Sequence, residues 1–350
     1  MTAPPSADEQ LAFLAKIQRL LSEGDFVSTY KYALLMALTD VAVERGQDDG
    51  SVLDITTRQL AERFVQLYWQ QAAPYRATEV SGNGSVLFQN GGSQAAVVSA
   101  IAEFRAQFSA STVISAQQEL TGYQALISKV TTTVAAQPLK YLQNLGGTTE
   151  VFLYERTRGG VMLLPGVAHC LRRFQPLINQ LARAQWVLHI KRNRLNSPVL
   201  GQVDDLEEFL FETPRQALQK VAEGLQKLSG CKCFYCQEKL NSADVDHFVP
   251  FSLYPKDWMD NFVLAHPSCN RSKSDRLAAR RHLENWVDRC HQQGADLEQI
   301  GYEAGFSSST STSLAVARWG YQAASTARGQ AWVQAGQFEL VGPEYLEVFG

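Results

Sequence analysis

Four segments decide the fold of the part of the chain that carries its chemistry: Cys233-Phe-Tyr-Cys236, Asp244-Val-Asp-His-Phe-Val-Pro250, Asp260-Asn-Phe-Val-Leu264 and His266-Pro-Ser-Cys-Asn-Arg-Ser-Lys273. The first and last hold two knuckles, Cys233-x2-Cys236 and His266-x2-Cys269, with 29 residues between them. Thiolates and an imidazole in this spacing supply the tetrahedral ligand set that zinc prefers. Cys231 is an alternative ligand, because Cys231-x4-Cys236 would also close the site, but the matched two-residue spacing favours Cys233. Since protein fills all four positions, we expect a structural zinc ion.

A second pattern lies between the knuckles and runs into the last one. It consists of Asp244-Val-Asp246-His247, Val249-Pro250, Asp260-Asn261, Val263-Leu264 and Asn270-Arg-Ser-Lys273. This pattern closely resembles the HNH (His-Me finger, ββα-metal) endonuclease motif. It is also similar to the HNH domain of RNA-guided CRISPR nucleases, and the knuckles resemble those of HNH restriction enzymes. The resemblance covers residues 231–290.

The residue types in this pattern fit phosphodiester hydrolysis, which needs a base to activate water and a cation to neutralise the developing charge. His247 is suited to accept the proton of the water. The Asp246 carboxylate and the Asn270 amide oxygen are suited to hold Mg²⁺, or Mn²⁺ in its place. The resemblance implies the same roles, and it implies that Asn261 positions the loop of His247 through backbone hydrogen bonds. Asp244 is an alternative metal ligand, because it shares a strand face with Asp246.

The resemblance also predicts a local fold and contains one departure. A hairpin is expected to run through Asp246 and Phe262–Leu264, with a helix beginning near Asn270. Many HNH enzymes have His where this chain has Asn270. The CRISPR-type branch also has Asn there, so the departure leaves activity in place and argues against a preference for transition metals over Mg²⁺.

Outside this segment the periodicity of apolar residues predicts mainly helices. Helices are expected at 8–22, 28–45 and 93–108, and around Leu60 to Tyr68, where Thr56 and Gln59 form a capping box. A strand is expected at 85–89, a hairpin at 150–164 and a long helical stretch after it to Arg194. The serine-rich run 307–313 is expected to be a linker, and the tail with Trp319 and Trp332 a helical element.

Two groups of basic residues are the predicted nucleic-acid contacts. Between Arg156 and Val203 there are eight basic residues and no acidic one, although the whole chain has a net charge of −3. A solvated basic face is the alternative reading of such a run. We expect DNA contacts from Arg172, Arg173, Arg192, Arg271, Lys273 and Arg276.

Length and composition set the wider limits. The 350 residues, with 45% hydrophobic and 19% charged residues, describe a globular chain and exclude a mostly disordered one. No run of 18 apolar residues spans a membrane, and the first residues lack the features of a signal peptide. Three of six cysteines fall within six residues, which suits a metal site in a reducing compartment, so a cytoplasmic location is expected.

These observations predict an α+β protein, mostly helical, in which a helical body presents a zinc-stapled ββα-metal (HNH) nuclease domain. The expected segments are a helical 1–145, a hairpin with basic helices at 146–230, the HNH domain at 231–295, and a linker with a helical tail at 296–350. The expected function is metal-dependent cleavage of DNA, double-stranded, in restriction or phage defence. The alternative is a catalytically idle zinc module that binds DNA or a partner. One HNH site cuts one strand, which motivates a homodimer, and an activating partner protein is a further expectation.

Overall fold

The computed structural model describes residues 3–75, 84–200, 206–211 and 215–350. The chain divides into two compact units, Met1–Glu212 and Thr213–Gly350. The first unit therefore joins the segment expected at 1–145 with most of the segment expected at 146–230. The second unit joins the HNH segment with everything that follows it.

The first unit is built mainly from helices. They are α1 (Ala7–Glu23), α2 (Tyr30–Arg45), α3 (Thr57–Trp69), α4 (Ala96–Phe108), α5 (Val113–Gln118), α6 (Leu120–Ala136), α7 (Pro138–Tyr141), α8 (Val167–Arg173), α9 (Gln175–Arg192) and α10 (Leu206–Phe211). The capping box of Thr56 and Gln59 is present at the start of α3. The long helical stretch expected before Arg194 is broken at Phe174, where Pro176 begins a new helix.

Helix α2 is the centre of this unit, because every residue from Tyr30 to Val43 is buried. It packs against α3, α8 and α9, so its apolar residues line the core on all sides. Neighbouring elements therefore cover every face of α2, as expected for a central core helix.

The strands of the first unit are short. They are β1 (Leu53–Thr56), β2 (Asn144–Leu145), β3 (Thr148–Thr149), β4 (Tyr154–Arg156) and β5 (Gly160–Leu163). The predicted hairpin at 150–164 is confirmed as β4 and β5, and β1 adds to it on the far side of β5. The strand predicted at 85–89 is wrong. That segment makes isolated bridges at Ser85 and Asn90, while its Phe88 backbone bonds to the side chain of Asn196 instead of a neighbouring strand.

The second unit contains the ββα arrangement and a set of helices around it. Its elements are α11 (Arg215–Ser229), β6 (Asp244–His247), β7 (Phe262–Ala265), α12 (Pro267–Lys273), α13 (Arg280–Gln292), α14 (Gly294–Ala304), α15 (Thr310–Thr326), β8 (Gln330–Gln334) and β9 (Gln337–Leu340). Strands β6 and β7 pair antiparallel, with Asp246 opposite Val263 and His247 opposite Phe262. The predicted hairpin is thus confirmed. Helix α12 begins at Pro267, earlier than the expected start near Asn270, because proline is well suited to the first helical turn.

Two expectations for the C-terminal segment are wrong. The serine-rich run 307–313 is not a linker, because Ser309 caps α15 and the run continues into that helix. The buried carboxylate of Asp260 accepts hydrogen bonds from the Ser308 hydroxyl, the Ser309 N–H and the Thr310 hydroxyl. Trp332 lies in strand β8 and not in a helix, and its backbone bonds to Leu277 and Ala279. Strand β8 also pairs antiparallel with β9, with Trp332 opposite Phe338, so a local hairpin and a distant segment together hold Trp332.

Taken over both units, the fold is mostly helical with small antiparallel sheets, which agrees with the α+β class expected from the sequence. Within the described part of the chain, no helix combines the length and the apolar character needed to cross a bilayer.

Candidate metal centre and HNH site

The zinc knuckles come together as the sequence predicts. One ligand atom from each of Cys233, Cys236, His266 and Cys269 lies within 4.8 Å of the other three. Cys231, the alternative ligand, is exposed and is not a member of the cluster. Three thiols and one imidazole are a donor set that fits a structural zinc ion, and the group could hold one.

Backbone groups support this cluster. The turn after Cys233 closes with the Gln237 N–H donating to the Cys233 carbonyl, and Gln237 takes a left-handed φ of 62°. Burial acts to raise the pKa of the Cys233 thiol, but backbone N–H groups aimed at its sulfur outweigh burial and lower the pKa. The Nε2 of His266 lies 3.1 Å from the Lys239 carbonyl, which directs the Nδ1 towards Cys236 at 3.3 Å. The cluster is thus oriented by its surroundings.

Part of the HNH pattern, including Asp246, His247 and Asn270, lines one cavity of about 320 Å³. Asp246 and His247 reach it from the end of β6, and Asn270 reaches it from α12. Arg271 and Lys273 also line it. The structure therefore brings together the three residues expected to hold the cation and the water.

Asp246 is buried and firmly held. The Tyr235 hydroxyl donates to its Oδ2 over 2.5 Å, and the Lys273 ammonium lies 3.1 Å from the same oxygen. Burial, reinforced by the charge of Asp246, raises the pKa of Tyr235 well above its ordinary value, so the hydroxyl stays protonated and donates. Asn270 donates its amide to Asp244 Oδ2 at 3.1 Å. Both predicted metal ligands are thus positioned by neighbours before any cation binds.

His247 has a partner that the sequence gave no reason to select. Its Nε2 lies 2.6 Å from the Asp257 carboxylate, ten residues further along the chain. An ionised carboxylate only accepts, so Nε2 carries the proton and Nδ1 keeps the lone pair. Asp257 lies in the irregular segment between β6 and β7, and no motif letter marks it.

Asn261 makes two hydrogen bonds to the backbone of Val249, two residues after His247. Its Oδ1 accepts from the Val249 N–H at 2.7 Å, and its Nδ2 donates to the Val249 carbonyl at 2.9 Å. The Phe248 N–H donates to the Asn261 carbonyl as well. Together these bonds fix the path of the chain that leaves His247.

The predicted nucleic-acid contacts divide into exposed and buried residues. Arg173, Arg192, Arg271 and Arg276 are exposed. Lys273 is fully buried, and its Nζ donates to the His247 carbonyl at 2.8 Å besides pairing with Asp246. Burial lowers the pKa of Lys273, against the opposing pull of Asp246. Lys273 is therefore a buried structural cation in the wall of the cavity, which corrects the expectation of a surface contact.

Arg172 is also buried, contrary to the expectation of a DNA contact. Its guanidinium pairs with Asp48 at 2.9 Å and donates to the carbonyl oxygens of Ala42 and Val43 at the end of α2. The N–H donors of this guanidinium are therefore already engaged in hydrogen bonds within the first unit. The sequence could not separate it from its exposed neighbour Arg173, because both lie in the same basic run.

Comparison with known proteins gives two family matches. A family described as HNH endonuclease matches residues 233–279, the segment that holds the four zinc-cluster residues and the cavity. A second family matches residues 10–208, which make up most of the first unit. No curated protein and no solved structure matches the chain. By the match over 10–208, which covers more than half of its residues, the chain belongs to the family described as "Domain of unknown function (DUF8808)", and it carries an HNH endonuclease segment after that domain.

Proposed function

We propose that the chain is a metal-dependent endonuclease that hydrolyses phosphodiester bonds in double-stranded DNA. The observation that carries this proposal is the shared cavity of Asp246, His247 and Asn270, in which a base and two hard oxygen ligands meet. The match of the HNH endonuclease family to the same residues supports it.

In this proposal His247 is the general base. Its Nε2–H is engaged by Asp257, so Nδ1 is the nitrogen that accepts the proton of the attacking water. Asp257 keeps the ring in one tautomer and stabilises the imidazolium that forms. Asn261 is the positioning residue, because its bonds to Val249 fix the backbone that follows His247.

Asp246 and Asn270 are the residues that would hold Mg²⁺ or Mn²⁺, with Asp244 as a further carboxylate beside Asn270. A divalent cation there supplies Lewis-acid stabilisation of the charge that develops on the phosphate. The buried ammonium of Lys273 limits the negative charge on Asp246, while Tyr235 fixes the orientation of that carboxylate. Arg271, exposed at the same cavity, and Arg276 are the proposed phosphate contacts on this unit, with Arg173 and Arg192 on the first unit.

The zinc ion, held by Cys233, Cys236, His266 and Cys269, has a structural role in this proposal. We place the enzyme in the cytoplasm, where reducing conditions keep these thiols free for metal. The biological setting that we propose is restriction or phage defence. Each chain cuts one strand, so a double-strand break uses a homodimer or two successive nicks, and the elution volume of the protein with DNA in gel filtration distinguishes these cases.

The test is plasmid cleavage by the wild-type chain and by His247→Ala, with Mg²⁺, with Mn²⁺ and with a chelator. Zinc content is measured in each sample, so that loss of the structural ion is not mistaken for loss of catalysis. We expect metal-dependent nicking that falls by about 10²–10⁴-fold in the variant. His291→Ala is the matched control, because His291 is exposed at the end of α13.

Cleavage that survives in His247→Ala, or that continues with all divalent cations removed, contradicts the proposal. DNA binding without cutting by either protein favours the idle zinc module, and adding cell extract then tests for an activating partner. Single-stranded DNA and RNA of the same sequence, used as competing substrates, test the assignment to duplex DNA. Phage plating on cells that express the wild-type chain or His247→Ala tests the defence setting.

A further inference from the structure

The first unit contains a cavity of about 910 Å³ that the proposed nuclease chemistry does not use. It lies where the end of α9 and the following residues meet the segment that leads into α2. The walls include Phe26, Tyr32, Arg192, Arg194 and the turn Asn90–Gly92. The volume falls in the range of pockets that enclose small organic ligands, which is about 300–1,000 Å³.

The walls of this cavity are held together by buried amides. Asn193 donates its Nδ2 to the Asn90 carbonyl at 3.0 Å, and Asn196 bonds to both the N–H and the carbonyl of Phe88. On the opposite side, the Thr29 N–H donates to the Gln89 carbonyl. Asn196 is fully buried. The segment 88–90 is therefore fixed to the C-terminal end of α9 and to the start of α2, and the cavity is formed before a ligand arrives.

One wall is aromatic. The rings of Phe26 and Tyr32 stack with centroids 4.3 Å apart and an interplanar angle of 16°. His189 contributes a third ring, edge-on to Tyr32 at 6.3 Å. Val27 and Leu195 also line the cavity and are 65% and 44% exposed, so they present apolar surface to any occupant. This wall suits a flat, partly apolar ring system.

The charge at the cavity is positive. Arg192 and Arg194 line it and are exposed, and neither forms an ion pair with an acidic residue of the described part of the chain. No Asp or Glu is among the described residues that line it. Guanidinium groups with free donors bind phosphate oxygens in a bidentate manner. The whole chain has a net charge of −3, so the positive charge at this cavity is local and does not reflect the overall composition.

We propose that this cavity is a nucleotide-binding site, in which a base lies against the wall of Phe26 and Tyr32 and a phosphate is held by Arg192 and Arg194. Aromatic and cationic side chains in one preformed cavity match the two halves of a nucleotide. The same chemistry is offered by a free nucleotide and by one nucleotide of a nucleic-acid strand turned out of its stack. The site goes beyond the proposed nuclease function and does not depend on it.

The test is a binding titration with the full-length His247→Ala chain in the absence of Mg²⁺, so that cutting plays no part. The probes are ribonucleoside monophosphates, a labelled single-stranded DNA of about 12 nucleotides, and an abasic strand of the same length. Arg192→Gln/Arg194→Gln removes the charge, and Arg156→Gln/Arg158→Gln is the control that removes two exposed arginines outside the cavity. Gly92→Trp adds a bulky ring at the wall of the cavity without changing charge, and its Cβ meets no atom within 4 Å.

We expect affinity to fall by about tenfold or more in Arg192→Gln/Arg194→Gln and in Gly92→Trp, and to stay within about twofold in the control. Binding of the monophosphates identifies a free nucleotide. Binding of the normal strand alone, and not of the abasic strand, identifies a nucleotide within a nucleic acid. Equal binding of normal and abasic strands, no effect of Gly92→Trp, or no binding of any probe overturns the proposal. Circular dichroism of each variant shows that it is folded.

Discussion

The hydroxyl of Tyr235 donates a hydrogen bond to Asp246 Oδ2 over 2.5 Å. Tyr235 stands between two residues of the zinc cluster, Cys233 and Cys236, and Asp246 is a proposed ligand of the catalytic cation. A single contact thus connects the cluster of three cysteines and one histidine, which could hold zinc, with the proposed chemical centre. Any displacement of the first knuckle moves the donor that orients Asp246.

We predict that Tyr235→Phe lowers cleavage by about 10- to 100-fold, which is the usual cost of removing a partner from a ligating group. The loss should be relieved in part by high Mg²⁺, because the carboxylate remains present but is less well oriented. Cleavage rate against Mg²⁺ concentration measures this, together with the zinc content of the variant. An unchanged Mg²⁺ dependence would show that the hydroxyl does not orient Asp246.

Substitution of single cysteines distinguishes the members of the cluster of three cysteines and one histidine from Cys231, the alternative ligand. Cys236→Ser and Cys269→Ser each remove one donor, so we expect loss of the bound zinc and a lower melting temperature of the second unit. Cys231→Ser is the matched control and should keep one zinc per chain. Metal analysis combined with thermal unfolding tests this. A loss of zinc in Cys231→Ser instead would assign the ligand set to the alternative spacing.

Asp257→Asn tests the partner of His247. The amide can donate as well as accept, so the ring loses the constraint that keeps the proton on Nε2. We expect the cleavage rate to fall by about tenfold or more, with DNA affinity and zinc content unchanged. Asp288→Asn, an exposed change on α13, is the control. A full rate in Asp257→Asn would show that the backbone alone orients His247.

Arg172→Gln should destabilise the first unit without weakening DNA binding. Its removal takes the Arg172 donor from the Val43 carbonyl and from Asp48, and leaves the Ala42 carbonyl with the Gly46 N–H alone. We expect a loss of about 2 kcal/mol in the free energy of unfolding, measured in urea. The neighbouring Arg173→Gln should leave stability unchanged, because Arg173 is exposed. Equal stability of the two variants would contradict the structural role of Arg172.

The stability of the first unit should fall as the pH decreases below about 6.5. Burial lowers the pKa of His189, so the folded chain keeps this ring neutral while the unfolded chain takes up a proton. Since the unfolded state binds more protons, the free energy of unfolding decreases from pH 7.5 towards pH 5.5. His189→Gln should flatten this dependence in urea titrations. An identical slope in the variant would assign the effect to other groups.

The residues of the motif and of the metal cluster could be predicted from the sequence, but the side chains that surround and hold them could not. Spacing alone was enough to select Cys233 over Cys231 for the cluster, because a two-residue turn fixes where two thiols meet. Asp257 could not be found this way, because it reaches His247 through an irregular segment with no repeat. Lys273 and Arg172 were both expected at the surface. A charge pattern in the sequence does not show whether a basic side chain will be buried in an ion pair, as these are with Asp246 and Asp48.

Local sequence also misled where long-range partners decide the structure. A run of serine and threonine resembles a linker, but the run at 307–313 is drawn into a helix cap because Asp260 accepts three of its donors. Trp332 fits a helix or a strand equally well. It lies opposite Phe338 in the β8–β9 hairpin, and its backbone also bonds to Leu277 and Ala279. Asp260 and Leu277 each lie more than 40 residues from the segment that they contact.

The buried carboxylate of Asp260 has a consequence for transplanting the matched HNH segment into other proteins. The matched segment ends at residue 279, yet Asp260 inside it bonds to residues 308–310, and Trp286 stacks on Phe248 with centroids 4.8 Å apart. A graft that stops at residue 279 would leave an unsatisfied buried anion and a bare aromatic face. Trp332 in β8 also bonds to Leu277 and Ala279 inside the matched segment. The smallest portable cassette therefore extends from α11 through β9, and chain exchange between proteins would be tolerated only before α11 or after β9.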